Sequence, residues 1–252
     1  MSILNAFNPH ESPLINAAHF YQSIPNFPKL ALGAFKQIEP LLTAYEHEQL
    51  AVMRPAGWNC PVWRVRYKET DIAVVHMPLG GPAAVGIMEE IRAMGAEQFL
   101  FYGSCGVLNR EIAAGGIAIP TAAYRDEGTS YHYAPPDESY IAIPTTNRLH
   151  SILTALNLPC TLTKTWTTDA FFRDTPSAIA ARRAEGCDVV EMECASLMAA
   201  AQFYNLPAYQ MFFAEDCLDG VEWDRRNLGA VPQNELEHCF ALSLEVARQI
   251  MP

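Results

Sequence analysis

At 252 residues, 50% hydrophobic and 18% charged, the chain suits one large compact core, and no tract rich in repeated charge, Ser or Gln reads as a linker or disordered tail. The net charge of −11 argues against nucleic acid as a partner, because duplex recognition needs a basic surface that neutralises phosphates. No apolar run is long enough to cross a bilayer, and Met1 to Asn8 has no basic segment followed by an apolar one, so a soluble cytoplasmic protein without a membrane partner is expected.

In chain order, β-rich apolar runs predict strands at Leu30–Leu32, Val62–Tyr67, Ile72–His76, Gln98–Tyr102, Ile117–Pro120, Leu162–Thr167, Val189–Met192 and Tyr209–Ala214. Helical patterns fall between and after them. One opens at Pro82, places Val85, Met88, Ile91 and Met94 on one face and stops at Gly95. Another runs from Glu193 to Tyr204. The last follows Pro232, with Leu236, Phe240, Leu244, Ala247 and Met251 as its core stripe. Alternation of this kind predicts a single three-layer α/β domain over 1–252, with 1–28 as an N-terminal extension and 29–252 as the core. The seven cysteines are widely spaced without a Cys-x-x-Cys pair, so free thiols are expected and a metal site has little support.

Ligands of such folds sit at the carboxyl ends of strands, and five segments there carry chemistry. Pro78-Leu79-Gly80-Gly81-Pro82 is either an anion-binding helix start or a tight turn. Phe101-Tyr102-Gly103-Ser104-Cys105-Gly106 offers a hydroxyl between glycines, as an oxyanion cradle needs, yet it is neither a Walker loop nor a serine-hydrolase elbow. Arg125 to His132 packs charge, hydroxyls and a histidine into one loop. Thr167 to Phe172 ends a strand with two phenylalanines that either stack on a planar base or fill core. Val189-Val190-Glu191-Met192-Glu193 sets two carboxylates beside a buried run, which is costly unless they have partners; a vicinal diol would supply two O–H donors.

Gly-Ser-Cys-Gly at 103–106, Asp-Glu-Gly-Thr-Ser-Tyr-His-Tyr at 126–133, Thr-Thr-Asp-Ala-Phe-Phe at 167–172 and Glu-Met-Glu at 191–193, in this order, resemble the nucleoside phosphorylase superfamily. That group includes uridine phosphorylase, hexameric purine nucleoside phosphorylase and the methylthioadenosine nucleosidases. The resemblance implies an α/β/α domain around a mixed, largely parallel sheet. It implies that Glu193 holds the ribose 2′- and 3′-hydroxyls, that Met192 packs on the sugar, and that Glu191 lies beside sugar and base. Phe171 would stack on the base, with His132 and Arg173 near it, and Asp216 would protonate the leaving purine. Ser104, Gly80, Gly81, Gly103 and Lys36 would face phosphate.

Two departures stand out. The family arginine three residues before the glycine-motif Ser is Phe101 here, and the early phosphate loop reads Gly33-Ala34-Phe35-Lys36-Gln37, with Gln37 where the hydrolases place their water-activating glutamate. Lys36, Arg54 and Arg125 are then the nearest cations, and Phe101→Arg is expected to recover phosphate affinity in part. The expected activity is phosphorolysis of a nucleoside, purine favoured, with inorganic phosphate as co-substrate and no cofactor. The alternatives are a hydrolytic nucleosidase, a uridine phosphorylase and a non-catalytic nucleoside-binding protein. The resemblance also implies a homo-oligomer, dimer or hexamer, whose neighbouring subunit completes the site.

Overall fold

The computed structural model describes residues 2–251. Among them the strands form one ten-stranded sheet. Strands β1 (Leu30–Ala34), β4 (Thr70–His76), β5 (Gln98–Val107) and β10 (Ala208–Cys217) run parallel and are almost wholly buried, because helices cover both of their faces. Outside β4 lie β3 (Cys60–Tyr67) and β2 (Glu46–Met53), both antiparallel. On the other side β10 meets β6 (Ile117–Asp126), followed by β8 (Cys160–Thr168) and β9 (Cys187–Glu191). Because β9 returns to β5, these five strands close into a ring without a free edge, and β7 (Tyr140–Ala142) hangs on β6. The sheet is therefore mixed: β6, β8 and β9 run parallel to one another, while β10 with β6 and β5 with β9 are antiparallel.

Helices α2 (Gly81–Met94) and α5 (Cys194–Phe203) pack on one face, around Val85, Met88, Phe99, Phe101 and Met198. Helices α3 (Thr146–Ala155) and α6 (Gln233–Ile250) cover the other, around Leu32, Tyr102, Leu149, Phe213 and Phe240. The short α1 (Glu39–Leu42) follows β1, and α4 (Pro176–Ala184) packs near β9. Gly95 closes α2 at φ 133°, a conformation that strains any side chain, as its place in the sequence predicts. Of the α6 stripe, Phe240, Leu244 and Ala247 are buried, Leu236 is half-buried against them and Met251 lies just past the helix end, while Glu245 is bonded by Lys68 and Arg248.

All eight expected strands are present, most of them longer than read. Met192 is not in β9, which stops at Glu191. β2, β7, α3 and α4 come from segments that the pattern left unassigned. The seven cysteines are free, five of them buried (Cys60, Cys105, Cys187, Cys194 and Cys217). Among the described residues no helix is long and apolar enough to cross a membrane.

Candidate active site

Strand register lines up Asp216 of β10, Gly106 of β5, Val190 of β9 and Trp166 of β8 in one row across the ring. The chemistry collects where this row meets the first turns of α5 and α2. Glu191, the last residue of β9, is fully bonded: Thr165 and Thr167 hydroxyls donate to Oε1 at 3.0 and 2.6 Å, and the Glu193 and Cys194 amides donate to Oε2, both at 2.7 Å. Burial raises its pKa and these four bonds oppose the rise. A carboxylate so occupied caps α5 and fixes the bend that follows it. Both of its oxygens are thus occupied within the protein, and two of the four bonds come from the turn that carries Glu193.

Glu193 stands at the N-cap of α5 and accepts the Gly80 amide at 2.6 Å. Burial, with Glu191 alongside, pushes its pKa up to about 8, against the pull of the Gly80 and Met192 amides. The Gly80-Gly81 turn is thereby explained differently from its sequence reading. Gly80 has φ 90° and gives its N–H to Glu193, while a side chain on Gly81 would strike Ser196 Oγ. The turn seats a carboxylate and packs against α5; its Gly80 amide is not available to phosphate. Met192, half-buried, lies between the two glutamates.

Asp216 is buried across the row. Burial raises its pKa, and the Trp223 indole N–H, donating to Oδ2 at 2.7 Å, opposes the rise. Asp174 is half-buried, its pKa pushed up to about 6 by burial and by Asp126 and Asp216, against a bond from the Thr168 hydroxyl. Phe171 and Phe172 form an exposed pair at the rim, 48% and 88% accessible, with ring centroids 3.9 Å apart. They are therefore not core, and Phe171 is free to cover a planar ring. His132 and Arg173 are exposed on neighbouring loops.

The cationic candidates fare worse. Lys36 Nζ lies 2.5 Å from Glu215 Oε1, an ion pair that commits the ammonium to a buried carboxylate. Arg125 is buried and donates to Ser130 Oγ and to the carbonyls of Pro135, Glu138 and Ala134, while stacking on Tyr131. It organises its loop instead of meeting an anion. Arg54 is exposed. Ser104 is half-buried on β5, and Gly103 is glycine because Phe35 lies against it: a Cβ there would sit 2.8 Å from Phe35 Cβ.

Phe101 stands three residues before Ser104, where the resemblance implies an arginine. It is 1% exposed, and a Cβ on Gly33 would lie 2.6 Å from Phe101 Cδ1 and 2.9 Å from Met77 Cγ. The expectation that Phe101→Arg recovers phosphate affinity in part is overturned, since the guanidinium would enter packed hydrocarbon without a partner. We predict a loss of about 3–5 kcal/mol of stability, read as a lower urea midpoint at unchanged slope; an unchanged midpoint would show that the side chain finds water.

Two further residues escaped the sequence reading. Glu127 is buried in the 126–133 loop and accepts Ser130 N and Ser196 Oγ at 2.9 and 2.6 Å, tying that loop to α5, while its Oε1 has no partner. Trp223, 57% exposed, stands alone in a polar loop. A buried acid inside a motif and a lone indole among charges were the signals for them.

The sequence profile of the phosphorylase superfamily matches residues 32–248. The chain belongs to this superfamily. An uncharacterized protein of Acanthamoeba polyphaga mimivirus is 29% identical over 181 residues, 71% of either chain. A guanosine phosphorylase of Halorubrum lacusprofundi is 28% identical over 145 residues, 56% of this chain and 59% of its own. A uridine phosphorylase of Salmonella typhimurium is 25% identical over 204 residues, 75% of this chain and 79% of its own. The crystal structure of a purine nucleoside phosphorylase from Toxoplasma gondii in complex with immucillin-H superposes with a TM-score of 0.73 at 17% identity, covering 93% of each chain. The fold is shared.

Proposed function

We propose that this phosphorylase-superfamily chain cleaves the N-glycosidic bond of a nucleoside, purine favoured, by phosphorolysis to free base and ribose 1-phosphate. The observation that carries the reading is the pairing of two differently placed acids: Glu193 at a helix start and Asp216 across the strand row, each buried enough to hold a proton above the ordinary carboxylate range. Rupture of C1′–N leaves positive charge on the sugar and negative charge on the base. A site gains by holding the sugar diol at one end and supplying an acid at the other. Phosphate would draw on Ser104 and on backbone amides, with a cation from a neighbouring copy in a homo-oligomer. The guanosine and uridine phosphorylases among the relatives support phosphorolysis without deciding the base. The test is a nucleoside panel with and without phosphate, with the sugar product identified by NMR; free ribose formed at a phosphate-independent rate overturns it.

Hydrolysis is the second reading, and one observation favours it. Phe101 replaces the arginine, and Lys36 and Arg125 are both committed elsewhere. Water needs less cationic help than a phosphate dianion, although Gln37 cannot serve as its base.

Proton linkage offers a check on Glu193. Two ribose hydroxyls donate best to the ionised carboxylate, but in the free protein that group holds its proton up to about pH 8. Ribonucleoside binding near neutrality should therefore release a proton. Affinity should rise with pH until about 8 and level off above it, by at most about tenfold per pH unit. The sign for folding is opposite, because stability present at low pH is lost as Glu193 ionises. Calorimetry in two buffers of different ionisation enthalpy counts the proton; a count of zero at pH 7 rejects the role.

A further inference from the structure

The β10–α6 loop turns back on itself directly after Asp216. Cys217 and Asp224 exchange backbone hydrogen bonds, N to O at 2.8 Å and 2.9 Å, so residues 218–223 are folded over the end of β10. This bridge places the Trp223 indole N–H on Asp216 Oδ2 at 2.7 Å. The ring itself is 57% exposed, so little of its apolar surface is buried by being there. Its N–H is directed at the carboxylate.

An indole N–H is a donor with no acceptor capacity. An oxygen that receives it cannot also direct an O–H toward it, and a carbonyl oxygen accepts better than an acid hydroxyl, so when Asp216 is protonated the bond favours the hydrogen on Oδ1. That oxygen faces Gly106, where a Cβ would lie 3.1 Å from Oδ1 and 2.7 Å from Leu218 Cδ1. Glycine at 106 keeps the approach to Oδ1 free of a side chain. The charged and titratable groups around Asp216 are Asp224 and Arg226 on its own loop and Asp174 from the loop after β8. Cys105 of β5 is also near, its thiol pushed well up by burial and so neutral.

We propose that Trp223 is a positioning residue for Asp216: its N–H occupies Oδ2, assigns the transferable proton to Oδ1 above Gly106, and holds the carboxylate that remains once the proton has left. The inference rests on the reading of Asp216 as the acid. In the step, the C1′–N9 bond breaks with its electron pair passing to the purine while a phosphate oxygen forms the new bond to C1′, giving ribose 1-phosphate. N7 takes the proton from Oδ1, the new carboxylate charge is met at Oδ2 by the indole, and solvent reprotonates Asp216 after the base departs.

Trp223→Phe keeps an aromatic ring and removes the donor. Inosine needs a proton at N7, whereas 7-methylguanosine already carries its positive charge there. Loss of one hydrogen bond to a charged group should lower inosine turnover by about 10- to 150-fold. The slowing of 7-methylguanosine should be far smaller. Equal slowing of both, or of neither, overturns the proposal. The intact protein also gives a readout that requires no turnover: Trp223 emission should follow the ionisation of Asp216, with a pH step that is lost in Trp223→Phe and in Asp216→Asn. A parent without that step refutes the coupling. A parent that shows the step but cleaves neither nucleoside refutes the nucleoside reading and leaves the coupling standing.

Discussion

Glu193→Ala is expected to lower kcat/KM for a ribonucleoside by about 10²–10⁴-fold, the loss of two charge-assisted hydrogen bonds of about 1.5–3 kcal/mol each. The fold should survive it. Glu193 is a buried carboxyl beside a second carboxylate, raised to about 8 by burial and that neighbour, so near neutrality it is protonated and its removal breaks no ion pair. What the variant loses structurally is the acceptor for the Gly80 and Met192 amides. Glu193→Gln retains that acceptor and separates the two effects: its melting temperature should match the parent while its turnover still falls. The defect should also be sugar-specific, so that 2′,3′-dideoxynucleosides, which lack the diol, are slowed far less by either substitution. A Glu193→Ala protein that cleaves ribonucleosides at the parental rate would show that the diol is held elsewhere.

What the sequence makes legible follows from burial. β10 is buried along its whole length, and a strand covered on both faces has to read as a continuous apolar run. β2 begins Glu46-His47-Glu48-Gln49, all exposed, because it is an edge strand and charge there blocks pairing with other chains; the same charge hides it from an apolar-pattern search. α4 carries helix-start residues, Thr175, whose hydroxyl accepts the Ala178 amide, and Pro176 in the first turn, but it went unassigned because its residues carry no buried face to set a period. At the site, motif strings locate the carboxylates and the glycines. They do not say which oxygens are already bonded. Glu191 and Glu193 are two residues apart in one motif, and the threonines of β8, which lie elsewhere in the chain, join the Glu193 and Cys194 amides in occupying the first, while the second is less occupied. Lys36 and Arg125 look like free cations until Glu215 and a set of loop carbonyls are brought against them by the fold.

Asp216→Asn is the sharpest test of the base. The substitution conserves volume, and the amide oxygen can still accept the Trp223 indole, so the packing of the 218–223 loop should persist. Only the transferable proton is gone. General acid assistance contributes about 10²–10⁴-fold, so turnover of inosine and adenosine should fall by that order, with KM changed much less than kcat. Burial makes the acid usable: Asp216 is held above the ordinary aspartate range, so a larger fraction of it carries a proton near neutrality than an exposed aspartate would. Turnover of a purine nucleoside should accordingly decline on the alkaline side as Asp216 ionises, and that limb should vanish in Asp216→Asn. A pyrimidine has no nitrogen equivalent to N7. If uridine is cleaved efficiently and at the same rate by Asp216→Asn, the order of bases is reversed, and the exposed Phe171 and Arg173 side of the mouth becomes the place to look for recognition. If purine turnover is instead unchanged while thermal stability drops, Asp216 serves the loop and not the leaving group.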